Sequence, residues 1–197
     1  MKKLILSLLV AAFVGGNTLS AQTITKNEDG KYSLSVGHVT LTVDAQKGGK
    51  IVSYRYDDKE ILSQTKIPNS FGSTFWTSPQ SEWNWPPVPE YDTKPFNAEV
   101  AGDKLILTGE KSKRFGYRVR KELTTDKKDN AIVITYTIIN ESGETRKVAP
   151  WEISRVPNGG ILFFDAKEVT PANNMETMPF VYEKKAAWYT LDESRKN

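Results

Sequence analysis

The sequence predicts an all-β domain built as an antiparallel sandwich, on three observations. Apolar segments alternate with a period of two, short polar turns separate them, and no stretch carries the three-and-four spacing of an amphipathic helix. Residues 38–44 set the pattern, with Val39, Leu41 and Val43 on one face and His38, Thr40 and Thr42 on the other. Gly48-Gly49 interrupts the chain, residues 50–56 resume as a strand, and Asp57-Asp58 turns it back through Glu60, Ile61 and Leu62. A second set of strands starts at Ala98 and continues through residues 104–108, 117–125, 131–140, 148–156 and 161–164. Gly102-Asp103 and residues 126–130, 141–143 and 158–160 supply the turns, and a further strand opens at Ala186 to Tyr189. Connections this short favour antiparallel neighbours.

The N-terminus is expected to be a secretory signal. Lys2 and Lys3 form a cationic start, residues 4–14 an apolar stretch, and Leu19-Ser20-Ala21 a small-residue exit, so cleavage is expected after Ala21. Gly15, Gly16 and Asn17 interrupt the apolar run before the roughly 20 residues needed to span a bilayer, so stable membrane insertion is not expected once the signal is removed. The chain contains no cysteine. That removes lipid attachment at the cleavage site, disulfides, thiol chemistry and cysteine-ligated zinc. Loss of Lys2 and Lys3 from the 27 lysines and arginines leaves 25 against 24 acids. A balance this close to neutral gives no field to gather nucleic acid. The expected product, residues 22–197, is one domain, secreted or periplasmic.

Residues 63–95 differ from the rest and read as a long aromatic loop. They hold Trp76, Trp83 and Trp85 together with six prolines, and a loop of this length in a compact domain is usually functional. Carbohydrate recognition combines flat aromatic platforms, which meet the C–H faces of a sugar, with amides and carboxylates for its hydroxyls. Trp76, Trp83 and Trp85 are candidate platforms, and Gln80, Glu82 and Asn84 candidate polar partners. The alternative is that these tryptophans plug one end of the sandwich as core.

A second candidate is V-A-P-W-E-I-S-R-V-P-N-G-G at residues 148–160. Alternation puts Trp151, Ile153 and Arg155 on one face, with Trp151 and Ile153 expected in the core, and Glu152 and Ser154 on the opposite, ligand-accessible face. Pro150 marks an edge or a bulge. Glu152 is the candidate general acid or base, and the other reading makes it a solvated strand residue. Arg118, Arg120 and Glu122 share a face of residues 117–125, either as hydroxyl or acidic-sugar ligands or as a row of ion pairs. His38 stands alone, so no histidine metal cluster is expected. Asp57, Asp58 and Glu60 read as a hairpin turn before they read as a calcium site. No phosphate loop, nucleophile elbow or other cofactor motif is present, so no cofactor is expected.

Three segments carry a family resemblance: G-G-K-I-V-S-Y at residues 48–54, G-S-T-F-W-T-S-P-Q-S-E-W-N-W-P-P at residues 72–87, and A-P-W-E-I-S-R-V-P-N-G-G at residues 149–160. In these the chain resembles a bacterial domain-of-unknown-function family of the galactose mutarotase-like superfamily. The resemblance implies an antiparallel β-supersandwich that binds a mono- or oligosaccharide on a concave sheet face; read from the residues themselves, Trp76, Gln80, Trp83, Trp85, Arg118 and Arg155 are the candidate ligand contacts. It also implies, for the epimerising members, a general base and a general acid acting on the sugar ring. The histidine expected near Trp151-Glu152 is absent, and no late carboxylate has a counterpart before Asn197. Either the chain is a C-terminally shortened member or it binds sugar without epimerising it. Carbohydrate binding is the leading expectation, aldose epimerase chemistry through Glu152 the rival, and a structural or degenerate domain the third.

Overall fold

A computed structural model describes residues 23–65, 71–157, 159–166 and 180–191; the expected export signal, Pro68 and Asn158 lie outside them. In chain order the strands begin with β1 (Ile24–Lys26), β2 (Tyr32–Val36), β3 (Val39–Asp44), β4 (Lys50–Tyr56), β5 (Lys59–Glu60) and β6 (Ser73–Ser78). A 3-10 turn at Gln80–Glu82 and a single-turn helix α1 (Pro89–Asp92) follow. The chain continues through β7 (Asn97–Ala101), β8 (Lys104–Thr108), β9 (Tyr117–Asp126), β10 (Ala131–Asn140) and β11 (Ala149–Ser154). The last described strands are β12 (Gly160–Asp165), β13 (Val181–Glu183) and β14 (Ala186–Leu191).

Every pairing is antiparallel, which makes the protein an all-β sandwich as expected. The first sheet runs β1-β2-β3-β4-β6-β11, with β5 folded onto β4; the second runs β10-β9-β8-β7. Their inner faces meet through Leu34, Leu41, Val43, Ile51 and Phe75 on one side and Leu105, Leu107, Val119 and Leu123 on the other, all buried. Burial of each such side chain is worth about 1.5–3 kcal/mol. The long β9–β10 hairpin pairs from Asp126↔Ala131 to Tyr117↔Asn140. Its turn is set by Asp126, whose Oδ1 accepts the amides of Lys128 and Asp129 at 2.9 and 3.3 Å. A small third sheet, β12-β14-β13, leaves Ile161, Leu162, Phe163 and Phe164 exposed.

Two expectations change. Residues 63–95 are not one loop, because Ser73–Ser78 is an inner strand joined to β11 along its length and to β4 at Ile51↔Ser73. Both its faces are covered, so S-T-F-W-T-S shows no alternation and does not read as a half-buried strand. The domain also contains the turn of helix α1, with Pro89 in its first turn, which is too short to display a helical period. Pro150 does mark an edge, since β11 closes the order of the first sheet.

Candidate functional site

The two faces of β6 and β11 carry different chemistry, and register assigns the side chains. Trp151 pairs with Trp76, Glu152 with Phe75 and Ile153 with Thr74. Phe75 stacks on Tyr136 of the second sheet at 4.9 Å between ring centroids, so the Phe75–Glu152 face points into the sandwich. The Trp76–Trp151 face points the other way, toward the segment that holds the 3-10 turn and α1.

On that outer face four tryptophans form one cluster. Trp76 meets Trp83, Trp85 and Trp151 edge-on at centroid distances of 5.6, 5.9 and 5.6 Å, and Trp83 lies 6.3 Å from Trp151. Trp83 is 2% exposed, with its indole N–H donating to the Thr77 carbonyl at 2.8 Å. Trp76 is 9% exposed and donates to Asp92 Oδ1 at 2.8 Å. These two are core, so for them the plug reading holds and the platform reading is corrected. Trp85 is 69% exposed and Trp151 half-buried. A cleft of about 450 Å3 opens here between Ser78, Pro79, Gln80 and Ser81 on one wall and Ala149, Pro150 and Trp151 on the other. Trp151 was expected in the core, whereas it lines this cleft beside the exposed Gln80. The edge-marking Pro150 was the sequence signal for it.

Arg155 belongs to the same side. Its Nη1 donates to Thr74 Oγ1 at 3.1 Å, and its guanidinium lies 5.9 Å from the Trp76 ring. Lys50 is 5% exposed, with its ammonium 4.1 Å over Phe71. Burial lowers its pKa, and the like charge of Arg155 adds to the effect.

Glu152 sits on the inner face, turned away from the tryptophan cleft. Alternation separates the two faces of β11 but cannot reveal which of them turns into the sandwich. Ser73 Oγ donates to its Oε1, and Ser73 and Ser154 hydroxyls are 2.7 Å apart. Its Oε2 is buried without a well-formed hydrogen bond. Burial raises the pKa of Glu152, while Ser73, the Lys121 ammonium and the Tyr136 phenol, which also acts on the carboxylate, pull the other way. Lys121 was missed. It is 3% exposed, donates to the Gly48 and Gly49 carbonyls at 2.9 Å each, and lies 5.3 to 5.8 Å from the rings of Phe96, Phe75 and Tyr136. Burial pushes its pKa down to about 8. Its signal was its place in the row Tyr117, Val119, Lys121 and Leu123, opposite Arg118 and Arg120.

Arg118 is not brought to the tryptophans. It faces outward on the second sheet, where it pairs with Glu141 at 3.3 Å, and Arg120 and Lys104 both hold Glu122. His38 Nδ1 and Asp57 Oδ1 are 2.7 Å apart at the surface. Glu60 accepts the amides of Tyr54 and Leu62, both at 3.0 Å, and so serves the hairpin. Among the described residues no group of three or more His, Asp or Glu side chains is placed to hold a metal ion, and no helix is long and apolar enough to cross a membrane.

No protein-family model matches the chain, and no curated protein matches it. Among solved structures, it is similar to a 4-alpha-glucanotransferase from Thermococcus litoralis at 13% identity and a TM-score of 0.36. The likeness covers 69% of this chain and 24% of that one, so the chain spans about a quarter of that protein's length.

Proposed function

We propose that this protein is an exported carbohydrate-binding domain of the mutarotase-like type, acting outside the cytoplasm, with its sugar in the cleft between the Ser78–Ser81 corner and the start of β11. The observation that carries the reading is the juxtaposition of the half-buried Trp151 ring with the exposed Gln80 amide and the Ser78 and Ser81 hydroxyls in one open cleft. An indole face takes up the apolar face of a pyranose, and the amide offers a donor and an acceptor to vicinal hydroxyls. Trp85, exposed on the same tryptophan cluster, extends the aromatic surface. Binding of this kind asks nothing of Glu152, whose carboxyl points to the other side of the sheet; ring opening through Glu152 would need the sugar inside the sandwich.

The test is retention on a glycan array, followed by titration of the best glycan with tryptophan fluorescence as the readout. Trp151→Ala and Gln80→Ala should each weaken binding at least about tenfold, the equivalent of one lost stacking or hydrogen-bonding contact. Unchanged affinity in Trp151→Ala would overturn the site.

A further inference from the structure

A second opening lies on the inner side of the first sheet. Among the described strands β10 is the edge of the second sheet; it packs over β2 and β3, and beside it the sandwich leaves a gap toward β4 and β6. The gap is a cavity of about 210 Å3 lined by Leu41, Ile51, Leu62, Ile132 and Ile134, with Tyr54 at its side and Ser73 and Ser154 at one end. Ile132, Ile134 and Tyr54 are only partly buried although they pack against the core, so the lining is apolar surface not fully covered by the described residues. An apolar cavity of about 150 Å3 accommodates a benzene ring, so this one takes a single ring bearing one short substituent.

The polar end has a defined direction. A carboxylate only accepts, so the Ser73 proton is committed to Glu152 Oε1. Ser154, 2.7 Å from Ser73, must then donate its own proton inward. Its oxygen is left with lone pairs at the cavity wall and no proton to give. Ser154 is exposed, so water meets these lone pairs in the free protein, and a ligand that displaces the water brings a donor of its own, strengthened by the charge at the far end of the relay. The Lys121 ammonium already compensates Glu152 electrostatically, so the ligand has no need of a positive charge.

We infer that this inter-sheet cavity is a binding site for a small, uncharged apolar alcohol, its hydrocarbon body among Leu41, Ile51, Leu62, Ile132 and Ile134 and its hydroxyl donating to Ser154 Oγ. The site is separate from the tryptophan cleft and stands or falls independently of carbohydrate binding there.

The probes are benzyl alcohol and benzyl methyl ether, which share a ring but differ in the donor. Titrated into the full chain and followed by protein-detected NMR, the alcohol should saturate one site, shift the residues of β4, β6 and β10, and bind about tenfold tighter than the ether. Ser154→Ala should bring the alcohol down to the affinity of the ether. Ile134→Phe, which fills the cavity, should abolish binding of both, with a dispersed spectrum and cooperative unfolding confirming that the variant is folded. Equal affinity for alcohol and ether in the unmodified protein, or no saturable binding of either, would overturn the proposal whatever the variants do.

Discussion

Replacing Lys121 with Met should flatten the alkaline limb of the stability profile. In the folded protein the ammonium is almost wholly buried, and its pKa lies near 8 against 10.5 in the unfolded chain. Between these values the unfolded state holds the extra proton, so stability rises with pH; below about 8 both states are protonated and the cost of burying the charge is present in full. At about 1.4 kcal/mol per pH unit the whole gap is worth about 3 kcal/mol, of which about 2 kcal/mol falls between about pH 7 and about pH 9.5. Higher pH is a poorer window. Burial holds the hydroxyl protons of Tyr91 and Tyr136 above the ordinary tyrosine range, so stability is lost again as the unfolded chain ionises there. At neutral pH the substitution itself leaves the Gly48 and Gly49 carbonyls unsatisfied and Glu152 without its cation, a cost of about 2–4 kcal/mol. Urea unfolding of both proteins at several pH values from about 7 to about 9.5 measures this directly. Parallel profiles would refute the reasoning, because they would mean that Lys121 titrates alike in the folded and unfolded states.

Two further outcomes separate core from surface around the tryptophans. Trp83→Ala should cost about 3–5 kcal/mol in thermal unfolding, because the indole is 2% exposed and bonded to the Thr77 carbonyl, whereas Trp85→Ala, at 69% exposure, should stay within about 0.5 kcal/mol of the parent. Gly48→Ala should lower the melting temperature by several degrees, since φ is +65° and the new Cβ would stand 2.3 Å from the Asp92 carbonyl oxygen. That clash also displaces the carboxylate holding Trp76, so a change in tryptophan fluorescence should accompany it.

Much of the sheet framework was legible in the chain. β3, β4, β8, β9 and β10 fall within a residue of the segments expected from the sequence; β3, β8 and β9 alternate buried with less buried positions, and β10 alternates partly buried with exposed ones. β6 was not legible for the complementary reason. With Phe75 turned into the sandwich and Trp76 against the tryptophan cluster, neither face is polar and the period vanishes. In the site, alternation correctly separated Trp151 from Glu152 yet gave each the other's surroundings. The outer face turned out to hold a cleft and the inner face a buried carboxylate.

Composition and periodicity alone therefore settle that this chain makes antiparallel strands and which side chains share a face, since both follow from the two-residue repeat of an extended backbone. Which face meets which is a property of packing between segments far apart in the chain. Only the tertiary structure pairs Glu152 with Phe75, sets Lys121 beneath the Gly48-Gly49 turn, and brings Gln80 to Trp151. The register of distant strands decides these neighbours, and no local pattern encodes it.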